Sequence, residues 1–205
     1  MWSFLLKLIV LILALLFIDV STWGQRNIVD PFTGGVARVS ATIMQAFDDD
    51  VEAVGRQIYT LQPWNAKPVI NPDGTTALNT DGSPYVQPWA IEIAPGCNGL
   101  EAVAILIAAL IAFPATWRQR AFGFVIGFFA IQILNQVRII SLFYIGMWDM
   151  RWFDWFHLYL WQALIILDAL IVWLLWLRWI TRDNQRRRNR KHGGGTPPPT
   201  APAIA

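Results

Sequence analysis

Four stretches of the chain are apolar for nearly as long as the roughly 20 residues a helix needs to cross a bilayer core about 30 Å thick. They are Phe4 to Val20, interrupted by Lys7; Leu100 to Phe113 with its flanks, ended by Pro114; Ala121 to Ile145; and about His157 to Ile180. The insert between the first two has a different rhythm. Val36, Val39, Ile43, Phe47, Val51, Val54, Ile58 and Leu61 recur at spacings of three and four, which predicts one amphipathic helix roughly 40 Å long. From Pro63 to Pro95 the chain is rich in Pro, Gly, Asn and Asp. Asn71-Pro-Asp-Gly-Thr75 and Asn79-Thr-Asp-Gly-Ser83 read as hairpin turns, and the alternation Trp89, Ile91, Ile93 reads as a short strand leading to Cys97.

The expected fold class is therefore all-α integral membrane, with about four transmembrane helices and an extracytoplasmic insert made of an amphipathic helix and a short β-hairpin region. The predicted organisation is a membrane anchor over 1–20, an extracytoplasmic segment over 21–95, a three-span core over 96–181, and a disordered basic cytoplasmic tail over 182–205. The first stretch also has the length of a signal peptide. The sequence Ser21-Thr22-Trp23-Gly24 after it lacks a small-x-small cleavage site, which favours the anchor.

Composition agrees with a bilayer. The chain is 55% hydrophobic, with 12 Trp and 12 Phe among 205 residues, and its mean hydropathy is +0.41. The net charge of +2 conceals an uneven distribution that sets orientation. Arg118 and Arg120 lie between the second and third spans, while Arg178, Arg182 and the run from Arg186 to Lys191 follow the fourth. The positive-inside rule puts these in the cytoplasm, and so puts residues 21–98 and the loop 146–156 outside. The basic tail is read as a topology signal, and its His192 is assigned no role.

Three unusual residues then fall at one membrane face. Cys97, the single cysteine, precedes the second span by about one turn, where a helix N-terminus favours a negative charge. His157 opens the fourth span. Arg138 lies within the third, about eight residues from its outer end near Gly146, hence roughly 12 Å deep; snorkelling would lift its guanidinium toward Cys97. An arginine inside a span is costly and marks a functional site by default. Together the three supply a nucleophile, a proton carrier and positive charge for an oxyanion. Asn98, Glu101 and Asn135 are supporting candidates: Asn135 and Gln136 to orient Arg138, Glu101 to pair with Arg138 or His157 or simply to face solvent. Interhelical hydrogen bonding accounts for Gln132, Asn135, Gln136, Gln162 and Asp168.

Other classes fit less well. One cysteine permits no intramolecular disulfide, and a thiol oxidoreductase normally needs two. The Asn-x-Asp-Gly pair lacks the further ligands of a calcium loop, so no metal or cofactor is expected, and nothing points to nucleic acid. The alternative is a non-enzymatic polytopic membrane protein that binds or assembles a partner through its extracytoplasmic segment, with Cys97 a packed hydrophobe.

Pro95-Gly96-Cys97-Asn98-Gly99-Leu100 resembles the P-x-C-[SN]-G motif of the exosortase/archaeosortase family of membrane-embedded cysteine transpeptidases. Asn135-Gln-Val-Arg138 is similar to that family's N-x-x-R motif, and His157 follows in order. The resemblance covers about residues 85–180. It implies a short exosortase of the bacterial inner membrane, multi-pass, with its site on the extracytoplasmic side and Cys97 as nucleophile, His157 as proton carrier and Arg138 as stabiliser. The implied partners, besides the lipid bilayer, are membrane-tethered proteins with a C-terminal sorting signal of the PEP-CTERM type, cleaved through an acyl-enzyme.

Overall fold

The computed structural model describes residues 2–192, and helices dominate it. The first apolar stretch forms α1 (Trp2–Val20). Ser21 then caps a second helical run by accepting a hydrogen bond from the Gly24 amide at 3.0 Å. That run comprises α2 (Thr22–Gly24), a π turn (Gln25–Val29) and α3 (Asp30–Met44).

The expected amphipathic helix from Val36 to Leu61 is only partly realised. Val36, Val39 and Ile43 belong to α3, but Phe47 lies in a turn, and Val51, Val54 and Ile58 belong to an antiparallel hairpin of β1 (Val51–Val54) and β2 (Gln57–Thr60). In the hairpin the spacing of three no longer marks one face: Val51 is buried and Val54 exposed, as the period of two requires. What ends the helix is Asp48-Asp49-Asp50, poor helix formers that repel one another, followed by β-branched Val51 and Val54. Gly55, with φ 59°, supplies the positive φ that a type II′ two-residue loop needs at its first position. The register Val51↔Thr60 and Ala53↔Ile58 turns Val51, Ile58 and Thr60 into the core and leaves Glu52 exposed.

The two Asn-x-Asp-Gly turns form as expected. In each, the Asn amide donates to the carbonyl four residues on, Asn71 to Thr75 and Asn79 to Ser83, both at 2.8 Å. Hydrogen bonds from the hydroxyl and amide of Thr75 hold the Asp73 carboxyl below the usual carboxylate range, and Ser83 does the same for Asp81. The predicted strand is β3 (Trp89–Glu92), which pairs with β2 to complete the sheet order β1-β2-β3.

The remaining chain is helical. It comprises α4 (Leu100–Ala112), α5 (Trp117–Trp148), α6 (Met150–Trp155), a π turn (Phe156–Leu160) and α7 (Trp161–His192). The expected outer loop over 146–156 does not form. Asp149 alone interrupts the helices, and its carboxylate accepts from the Arg151 amide at 2.8 Å to cap α6. Nor is the tail irregular from 182: α7 continues to His192, because Arg, Gln and Lys are good helix formers and no Gly or Pro intervenes before Gly193. Residues 193–205 lie outside the described residues. Two helical stretches, Trp117–Trp148 and Met150–Arg186, are long and apolar enough to cross a membrane, and α4 is a shorter apolar helix.

Packing divides into two clusters. One joins α3, the sheet and the last third of α5 through Val36, Met44, Ile58, Ile139 and Phe143. The other joins α4, α5 and α7 through Leu106, Leu110, Ile131, Trp176 and Ile180, with Gly123 giving way to the Trp176 ring. Cys97 packs at the edge of the first cluster, just before α4 enters the second.

Candidate active site

Two glycines build the loop that carries Cys97. Gly96 (φ 84°) and Gly99 (φ 79°) bracket Cys97-Asn98 in the left-handed region, which a Cβ resists. At Gly99 a Cβ would also lie 3.0 Å from Gln132 Nε2, so the loop is pressed against α5. Asn98, 1% exposed, locks the loop in place. Its Oδ1 accepts from the Leu100 amide at 2.9 Å at the start of α4, and its Nδ2 donates to Thr33 Oγ1 at 2.8 Å. Thr33 in turn donates to the Val29 carbonyl at 2.7 Å, so both hydrogen-bonding capacities of its hydroxyl are used.

The same face of α3 reaches α5. Seven residues after Thr33, the buried Ser40 hydroxyl donates to the side-chain carbonyl of Gln136, two positions before Arg138. Thus α3 is tied both to the loop of Cys97 and to the helix of Arg138. Sequence reasoning missed Thr33 and Ser40. Their signal was a stripe of small and hydroxyl residues, Thr33, Gly34, Ala37, Ser40 and Ala41, all buried on one helix face.

Arg138 is 2% exposed, and its Nη2 donates to Cys97 Sγ at 3.4 Å. Trp89 of β3 packs on Gly146 and the Asn65 amide donates to the Met147 carbonyl, both near the end of α5. Cys97 instead meets α5 at residue 138, eight residues and about 12 Å back along the axis from Gly146. Nε and Nη1 of Arg138 are buried without partners.

His157 sits in the π turn between α6 and α7, a helix irregularity often found at functional sites. Its ring stacks on Phe153, with centroids 5.5 Å apart and planes 5° from parallel. The charges of Arg138 and Asp154 both act on the imidazole. His157 makes no hydrogen bond to Cys97, and its Nδ1 is buried and unpaired. Asn135 lies against Gly99, with both ends of its amide buried and unpaired. It does not bond to Arg138. Glu101 forms no ion pair with Arg138 or His157; its carboxylate lies over Gly96, where a Cβ would be 3.2 Å from Oε1. The polar side chains that do join α5 to α7 are at the other end, where Gln119 Nε2 donates to Asp183 at 2.9 Å and Asn184 at 3.1 Å, and of the mid-helix residues expected to bond between helices only Gln136 does so. Gln132 Nε2 is unpaired, Gln136 serves α3, and Asp168 has no hydrogen bond or ion pair among the described residues.

The sulfur thus touches an arginine with two unpaired donors, and the charge of that arginine also acts on an imidazole with an unpaired nitrogen. Such a set can hold an anionic tetrahedral centre beside the sulfur and pass a proton to a leaving group. The cavity next to it, about 140 Å³, opens from Gly99, Asn135 and Arg138 along α7 toward Asp168. No curated protein and no solved structure matches the chain. The profile of the transmembrane exosortase family does match, over residues 1–175, well beyond the region that carries the motifs, and the chain belongs to that family of membrane proteins.

Proposed function

We propose that this exosortase family member is a cysteine transpeptidase or peptidase that cleaves C-terminal sorting signals from membrane-tethered exported proteins through a thioester. The observation that carries the reading is the state of Arg138: buried, bonded to Cys97 Sγ, and left with two unpaired nitrogens. A buried guanidinium that bonds only a sulfur is under-satisfied unless a further acceptor arrives, and a substrate carbonyl is such an acceptor.

In this mechanism His157 takes the Cys97 proton and the thiolate attacks the scissile carbonyl carbon. A C–S bond forms, and the oxygen takes the negative charge against Nε or Nη1 of Arg138. Collapse of the adduct breaks the C–N bond, and His157 gives the leaving amine its proton. The thioester then yields to an acceptor amine or to water, with His157 taking the proton from the attacking group and Cys97 released. Asn98 and Gly99 position the nucleophile, and Asn135 lines the site beside them.

We also read the chain as four spans in a bacterial inner membrane, α1, α4, α5 and the α6–α7 helix. Arg118 and Arg120 at the start of α5, with Arg178 and Arg182 near the end of α7, put those ends in the cytoplasm. The site and the segment 21–95 then face outward. The decisive test is Cys97→Ala, co-expressed with a substrate carrying such a signal. Cleavage should vanish while the variant still inserts in the membrane. Undiminished processing would overturn the enzyme reading in favour of a non-enzymatic assembly protein.

A further inference from the structure

The cavity at Arg138 does not end with the chemistry. It continues between α4, α5 and α7, lined by Ala102, Ile131, Leu134, Trp161 and Leu164, to a single acid, Asp168. Seven residues separate Trp161 from Asp168 on α7, and seven separate Arg138 from Ile131 on α5; all four line the same cavity. At 1.5 Å per residue, Asp168 therefore lies about 10 Å beyond Arg138 along the helices. It has no partner among the described residues. An ionisable group at this depth is expected to face a partner, and none of the surrounding helices supplies one.

A volume of about 140 Å³ admits one or two side chains and not a helix. Whatever occupies it must lie along the opening and drop side chains inside. Because the cavity is continuous with the arginine that bonds Cys97, its natural occupant is the part of the substrate just past the bond being cut. Resting on the peptidase reading, we propose that Asp168 is a specificity residue: it receives a hydrogen-bond donor side chain, such as Ser, Thr, Asn, Gln or Lys, from the substrate's membrane-embedded segment. For a fully helical segment, 10 Å is about seven residues past the cleaved bond; for a partly extended one it is about four.

Two measurements test this. The chain has one cysteine, so Cys97→Ala combined with Asp168→Cys leaves a single thiol at the proposed contact. Substrates carrying one cysteine at successive positions past the cleavage point, oxidised in isolated membranes with copper phenanthroline, should give a disulfide adduct that peaks about four to eight residues along. An even yield at all positions, or no adduct, overturns the proposal, and this readout does not depend on turnover. In the second, wild-type protein should cleave a substrate with a donor in that window about three- to tenfold faster than one with leucine throughout. Asp168→Leu should cleave both equally, and Asp168→Asn, which keeps an acceptor, should retain part of the preference. A donor preference that survives in Asp168→Leu overturns the assignment. Failure of the peptidase reading looks different: cleavage would continue in Cys97→Ala.

Discussion

The contact between Cys97 and Arg138 has two sides, two walls built on opposite principles. On the α3 side, polar groups are bonded shut: Asn98 to Thr33, Thr33 to Val29, Ser40 to Gln136. On the side facing α4 and α7, they are left open: Nε and Nη1 of Arg138, both ends of the Asn135 amide, Gln132 Nε2, His157 Nδ1 and Trp161 Nε1 are buried without partners. Buried polar groups normally find partners, and each that does not carries a desolvation cost. In the proposed function the groups on this wall are where substrate binds: the bonded wall would hold the sulfur, and the open wall would receive.

The largest effect should come from the residue that belongs to both walls. Arg138→Lys keeps the charge but loses the planar fork that lets one side chain hold the sulfur and a substrate oxygen together. Cleavage should fall about 100- to 1000-fold, the usual cost of an oxyanion donor. Membrane insertion should be normal. Near-wild-type turnover would remove Arg138 from the proposed oxyanion site and the open wall would lose its main argument.

A smaller effect is expected from the bonded wall. Thr33→Val preserves shape but removes the oxygen that Asn98 Nδ2 reaches, leaving a buried amide unpaired at a cost of about 1–3 kcal/mol. Thermal stability in detergent should drop, and cleavage should fall about tenfold as the Cys97 loop loses its register, since small misplacements of a reacting group are expensive. Thr33→Ser, which keeps the oxygen, should restore most of both. A variant that lost stability yet cleaved normally would make α3 a mere scaffold.

What could be read from the sequence follows the same division. The open wall was legible because its residues are chemically conspicuous: a lone cysteine between glycines, and an arginine and a histidine in or beside apolar runs. The bonded wall was not. Thr33 and Ser40 are ordinary helix residues whose importance lies in tertiary contacts with Asn98 and Gln136, 65 and 96 positions away. Likewise the apolar helices were visible in hydropathy, whereas the change from α3 to the hairpin at Val51 was hidden because the spacing of three and four runs on past Met44 by coincidence, through a Val54 that the strand leaves exposed. Hydropathy locates α4, but only the packing of Gly99 on α5 shows that the loop before it lies beside Arg138.

The smallest effect is the one most diagnostic of the difference between the walls, because it should change sign between stability and activity. Asn135 is 5% exposed and both its amide atoms are unpaired. Asn135→Leu has nearly the same shape, so it should relieve the unpaired amide without opening a cavity and raise stability by about 1 kcal/mol. If the amide waits for a substrate group, the same variant should cleave more slowly, by about three- to tenfold, the worth of one hydrogen bond at an apolar site. Thr33→Val should move both quantities down, whereas Asn135→Leu should move one up and the other down. Thermal shift and cleavage measured on the same two membrane preparations decide it. A loss of stability in Asn135→Leu would mean that the amide already has a partner within the fold, and the contrast between a bonded wall and a receiving wall would fail at the residue where it is sharpest.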